Sequence, residues 1–237
     1  MREQLSAERF TRWDAAEEAQ RLAVEPLLAS WNRGDDPEQV RVQRYLAEVR
    51  DALVCGLPHD QPVYLCVDVV LPISVDLLHH RDVENYLTPL GALLRAHDFV
   101  LAIGTKRHPR NDSDASSISV GLARPASSVP ASRFVSARMQ GSTSHKSWKE
   151  RLRASVATQV PTPTPPGPLA METAWRCGAS RQWVNLWKAT GDALGPILGE
   201  PDAARPFNPA DDRITDLRLH LTRDEAMGYD VDVRVWW

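Results

Sequence analysis

Two stretches exactly one hundred positions apart read alike, and this likeness limits the possible folds more than any other feature of the chain. Without a gap, Asn85-Tyr86-Leu87-Thr88-Pro89-Leu90-Gly91-Ala92-Leu93-Leu94 falls on Asn185-Leu186-Trp187-Lys188-Ala189-Thr190-Gly191-Asp192-Ala193-Leu194. Asn, Gly and the final Leu coincide. Both halves around these stretches read helix, strand, helix, strand in the same order, so the pattern predicts two tandem copies of one small unit. The 237 residues allow two such domains.

In the first half, residues 5–31 carry Leu5, Phe10, Trp13, Ala16 and Leu22 in an approximate helical stripe, closed or bent at Pro26. Asp36 before Pro37 starts a second helix, with Val40, Tyr45, Leu46, Val49 and Leu53 facing inward and a stop near Gly56. Residues 62–72 are β-branched and aromatic and read as a strand around Asp68. Asp82-Val83-Glu84-Asn85 then opens a helix to about residue 96. Strands at 99–103 and 116–123 flank a polar loop at 108–115. A Pro/Ser linker at 126–132 separates a unit at 1–125 from one at 133–237.

The second half reads as a strand at 133–139, a basic amphipathic helix at 144–156 and a connector at 159–168 holding five prolines. A strand at 169–177, a helix at 183–198 and strands at 211–221 and 229–237 follow. The expected class is α/β (α+β): two small mixed sheets packed with helices.

Composition narrows the function classes. No apolar run reaches a membrane span and the N-terminus lacks the apolar core of a signal peptide, which predicts a cytoplasmic protein. Cys55, Cys66 and Cys177 lack zinc-site spacing and are expected as three buried thiols. Phosphate-loop, dinucleotide-loop and serine-hydrolase motifs are absent from the sequence. The net charge is −3, but residues 1–129 carry 14 basic and 19 acidic side chains, against 14 and 12 in residues 130–237. Lys146, Lys149, Arg151, Arg153 and Arg181, with Arg81 from the first half, are candidate phosphate contacts. Of the eight tryptophans, Trp148, Trp175, Trp183 and Trp187 lie in this basic part. Packing is the commoner role for such residues, and stacking on unpaired bases is the alternative.

Motifs in both halves resemble the RusA-like Holliday junction resolvases. That family reads an extended strand, then D-x-D-N-L-x-K-x-x-x-D-A-L, then a strand beginning at paired acids. In the second half Asn185-Leu186-Trp187-Lys188 and Asp192-Ala193-Leu194 match the helix, and Asp211-Asp212-Arg213-Ile214 matches the paired acids. The two leading aspartates are missing there, because Arg181-Gln182-Trp183 occupies that stretch. In the first half Asp82-Val83-Glu84-Asn85 stands where D-x-D-N belongs, and Thr88 replaces the lysine. Asp112 and Asp114 are candidate displaced paired acids.

The resemblance implies a fused pseudo-dimer with Mg²⁺-dependent, structure-selective endonuclease activity on branched or duplex DNA, in recombination or repair. It assigns catalysis to Asp82, Glu84, Lys188, Asp211 and Asp212, and metal binding to Asp82, Glu84, Asp114, Asp211 and Asp212. Mg²⁺ on a few carboxylates activates water and offsets phosphate charge, and a lysine nearby steadies the transition state. Three arrangements stay open. One is a site within the first half using Asp82, Glu84 and Asp114. Another is a composite of Asp82 and Glu84 with Lys188, Asp211 and Asp212. The last is two inactive copies that bind DNA or a protein partner.

Overall fold

A computed structural model describes residues 10–28, 36–79, 82–128, 130–202 and 204–237. Eight strands form one curled mixed sheet in the order β1-β4-β2-β3-β7-β6-β8-β5. The first-half elements are β1 (Trp13–Leu22), α1 (Pro37–Val54), β2 (Val63–Val70), α2 (Val83–Leu93), β3 (Phe99–Arg107) and β4 (Ser117–Pro125). The second-half elements are β5 (Phe134–Met139), α3 (Lys146–Ala157), β6 (Leu169–Cys177), α4 (Val184–Gly191), the short α5 (Gly195–Leu198), β7 (Ile214–Arg223) and β8 (Val231–Trp236).

The pairing scheme reads the same from both edges. β2 runs parallel to β3 and antiparallel to β4, which pairs with β1. β6 likewise runs parallel to β7 and antiparallel to β8, which pairs with β5. At the centre, β3 and β7 pair antiparallel from Leu101↔His220 to Thr105↔Asp216. The two halves thus share one sheet and one main core. Parallel neighbours need a crossover helix, which α2 and α4 supply.

Residues 13–22 form a strand where the sequence pattern predicts a helix. The composition WDAAEEAQRL favours a helix, but propensity is a weak prior that tertiary pairing overrides. β4 offers a free edge, and β1 takes it with a bulge between Ala15 and Ala19. The chain entering β1 is also pinned across the sheet. The Trp13 indole donates to the Leu221 carbonyl at 2.9 Å and its backbone N–H to His220 Nδ1 at 3.1 Å. Arg12 ion-pairs with Glu172, which also meets His220 Nε2 at 3.0 Å. Burial raises the Glu172 carboxyl, but these partners outweigh it and hold it at about 2.

Three further expectations change. Val40 is exposed and Val42 takes its place inside α1, because the buried stripe runs Val42-Val49-Leu53. The helix expected at 183–198 breaks into α4 and α5, with Pro196 inside the second. Cys55 is exposed, Cys66 is half-buried and only Cys177 is buried. The helix beginning at Pro37 is capped as expected, by Asp36 accepting from the Glu38 N–H at 2.9 Å. Trp148, Trp175, Trp183 and Trp187 are all core residues, so packing and not base stacking is their role.

The matched glycines mark the contact between α2 and α4. A Cβ on Gly91 would lie 2.8 Å from Trp187 Cη2 and 3.1 Å from Phe99 Cε1, while one on Gly191 would lie 3.4 Å from Glu84 Oε2. Gly91→Ala gains helix propensity yet overpacks a rigid aromatic contact. We expect a net loss of about 1–3 kcal/mol, read as a lower denaturation midpoint. An unchanged midpoint would contradict this packing.

At the far edge, β5 is shielded by a side chain. Gln159 Oε1 accepts from the Ser136 N–H at 3.2 Å and Gln159 Nε2 donates to the Ser136 carbonyl at 3.0 Å. One amide thus fills the place of a neighbouring strand.

Candidate active site

The sheet presses α2 close to β3. A Cβ on Gly104 would fall 2.2 Å from Val83 Cγ1 and 2.9 Å from Leu87 Cδ1, so only glycine permits this approach. The first turn of α2 therefore lies beside β3, next to Lys106. Asp82 holds the N-cap position of α2, yet its side chain makes no cap bond. It accepts instead from Asn85 Nδ2 at 3.0 Å. An N-cap role alone would have aimed this carboxylate at the helix amides.

From the second half, Lys188 on α4 reaches Asp192 Oδ1 at 3.0 Å, one helical turn on, and Asp211 Oδ2 at 3.3 Å. Asp211 and Asp212 form the 3₁₀ turn that leads into β7. The buried Lys106 donates to the Asp212 backbone carbonyl. Lys149 of α3 meets Asp192 Oδ2 at 3.0 Å, and His79 Nδ1 stands 3.7 Å from Asp212 Oδ2. Glu84 accepts from Thr88 Oγ1 at 3.3 Å. Asp82, Glu84, Asp211, Thr190 and Gly191 share a narrow cavity of about 30 Å³ with Met171, Trp175 and Trp187. That is room for about one water.

The charges oppose one another at close quarters. Burial raises Glu84 to about 7; Lys188 pulls it down, and Asp211 and Asp192 push it up. Burial likewise raises Asp211 to about 6, against the pull of Lys188 and with the push of Asp82. Asp82 is raised by burial and by Asp212, against Lys188 and Lys106. Burial lowers Lys188, but Asp211, Glu84 and Asp192 outweigh it and raise it overall. Lys106 is lowered by burial despite its acidic neighbours. Burial is the main cause of the raised carboxyls, and their acidic neighbours add to it.

Asp82 and Glu84 of the first motif thus share one cavity with Asp211 of the second, and Lys188 pairs with Asp211 beside it. Asp114 does not join them. It takes Arg107 and the Arg110 N–H as partners, and Arg107 also holds Asp68. Strand alternation explains this: Lys106 and Arg107 are neighbours on β3 and point to opposite faces. The basic residues separate too. Arg181 is buried and donates to the Tyr229 and Gly141 carbonyls, so it is not free to meet a phosphate as the sequence suggested. Arg153 pairs with Glu200, Lys146 with Glu150, and Arg151 donates to the Gln140 carbonyl. Arg81 lies outside the described residues.

Lys106 was missed by the motif reading. One signal could have found it: the chain has four lysines among 28 basic residues. Three of the four, Lys106, Lys149 and Lys188, contact this acidic cluster.

Compared with protein-family models and with curated protein sequences, the chain matches none. No helix among the described residues is long and apolar enough to cross a membrane.

The donor set suits a hard divalent cation. The candidate ligand atoms are carboxylate oxygens, raised in proton affinity chiefly by burial. Among the described residues no three acidic, His or Cys side chains converge to cage a metal by themselves. Mg²⁺ does not require that, since it is held by one or two carboxylates and keeps several waters.

Proposed function

We propose that the chain is a single-chain pseudo-dimer of two RusA-like units, and that it is an Mg²⁺-dependent, structure-selective DNA endonuclease with one composite site. The observation that carries this reading is that Asp82 and Glu84 of the first motif line one cavity with Asp211 of the second, and that Lys188 pairs with that Asp211. Matching strand pairings in the two halves support the tandem arrangement.

Each residue has a part. One or two carboxylates from among Asp82, Glu84, Asp211 and Asp212 would hold the cation, with waters completing its shell. When bound, Mg²⁺ offsets phosphate charge and makes its water more acidic. Lys188 Nζ, exchanging from Asp211, would neutralise a non-bridging phosphate oxygen. Lys106 fixes the Asp211–Asp212 turn through the Asp212 carbonyl. Thr88 holds Glu84, and Asn85 holds Asp82. Lys146 and Arg151 on α3 supply cations for the DNA backbone.

A second reading, DNA binding without cleavage, is favoured by two observations: Lys188 is already held by two carboxylates and the cavity is small. A four-way junction assay with Mg²⁺ decides. Cutting that disappears with a chelator supports the enzyme. A gel shift without cutting leaves the binding reading, and neither cutting nor shift overturns both.

A further inference from the structure

The place related to this site by the same hundred-residue offset is closed. Asp82 corresponds to Gln182, Glu84 to Val184 and Lys188 to Thr88. Where Asp211-Asp212-Arg213 lead into β7, Ala96-His97-Asp98 lead into β3. His97 is stacked on His59 at 4.5 Å, and its Nδ1 lies 3.0 Å from the Pro58 carbonyl.

Aromatic rings fill the interior there. Phe99 packs on Trp183 at 4.9 Å and on Trp187 at 6.1 Å, and the two indoles meet at 4.8 Å. The matched glycines are used differently. Gly191 faces the Glu84 carboxylate, whereas Gly91 makes room for the Trp187 ring. Thr88, in the lysine's counterpart position, donates to the Glu84 carbonyl at 3.0 Å and to its Oε1 at 3.3 Å. The residue that a second centre would need as its cation now supports the first.

Resting on the endonuclease reading, we infer that each chain carries one cutting centre and opens one strand per encounter. One incision adds one water across one phosphodiester. A P–O bond to the water oxygen forms, the P–O bond to the leaving sugar oxygen breaks, and that oxygen takes up a proton. Paired incision then requires a second chain or a second encounter.

A negatively supercoiled plasmid with an extruded cruciform tests this, with Mg²⁺ and protein below the plasmid concentration. The expected product is nicked circle, with linear DNA arising only later from the nicked pool. Adding excess Asp82→Asn chain separates one chain from two. Linear product that this variant converts to nicked circle means two chains with one centre each, as inferred. Linear DNA formed from the start and insensitive to the variant means two centres per chain and overturns the inference. Absence of any incision overturns the endonuclease reading beneath it.

Discussion

Lys188→Ala is expected to slow junction cleavage by about 10²–10³-fold, the usual loss when one preorganised charge aimed at a reacting phosphate is removed. Lys188 comes from the second half, while Asp82 and Glu84 come from the first, so the variant tests the composite arrangement directly. Asp82→Asn should lower cutting at least as far. Removing Lys188 also strands Asp211, Asp192 and Glu84 without their shared cation. With Lys188 partly exposed, that loss costs about 1–3 kcal/mol where the carboxylates cannot protonate. Circular dichroism must therefore accompany the rate. Lys188→Arg provides the control for charge: it keeps the cation but replaces a compact ammonium with a planar fork, and partial recovery is expected. A folded Lys188→Ala protein that cuts at the parent rate would exclude the composite site.

Glu84→Gln is expected to stabilise the protein at pH 8 while impairing cleavage. The folded chain holds the Glu84 carboxyl at about 7, against a usual 4.5. Between those values the folded state binds more protons than the unfolded state, so stability falls as pH rises through the window. The loss is complete above pH 7 and amounts to about 3 kcal/mol. Asp211, raised to about 6, acts in the same direction. Gln keeps an acceptor for Thr88 and has no charge to bury beside Asp211 and Asp192. Its melting temperature at pH 8 should exceed the parent's by on the order of 5–10 °C, and the difference should vanish near pH 4. Mg²⁺ should narrow the gap by stabilising the ionised parent. Equal melting temperatures at pH 8 would show that Glu84 carries no such strain. These buried acids thus weaken the fold above pH 7, the cost expected of a site selected for something other than stability.

Local signals made much of this legible. Asp36-Pro37 marks the start of α1 because cap and first-turn chemistry are encoded within a few residues. The β-branched run ending at Val70 and the alternation of Val231, Val233 and Val235 mark strands for the same reason. Long-range pairing was hidden. Nothing near Trp13 announces that β4, a hundred residues on, will draw a helix-forming segment into a strand. The acids and Lys188 could be nominated from motif spacing, but their convergence depends on the β3–β7 pairing. Lys106 belongs to no motif, and its role follows only from its side of β3. Asp114 stood at a plausible spacing but points to the wrong face.

The antiparallel pairing of β3 with β7 has a consequence for the chain between the halves. Residues 126–132 read as a boundary, yet the backbone hydrogen bonds from Leu101 to Thr105 continue straight into the other half. The linker is therefore a tether more than a hinge. Cutting it would leave two fragments whose exposed central strands are each other's complement, and reassembly would depend on concentration instead of covalent order. Connectivity raises the effective concentration of the halves; the seam itself holds them together.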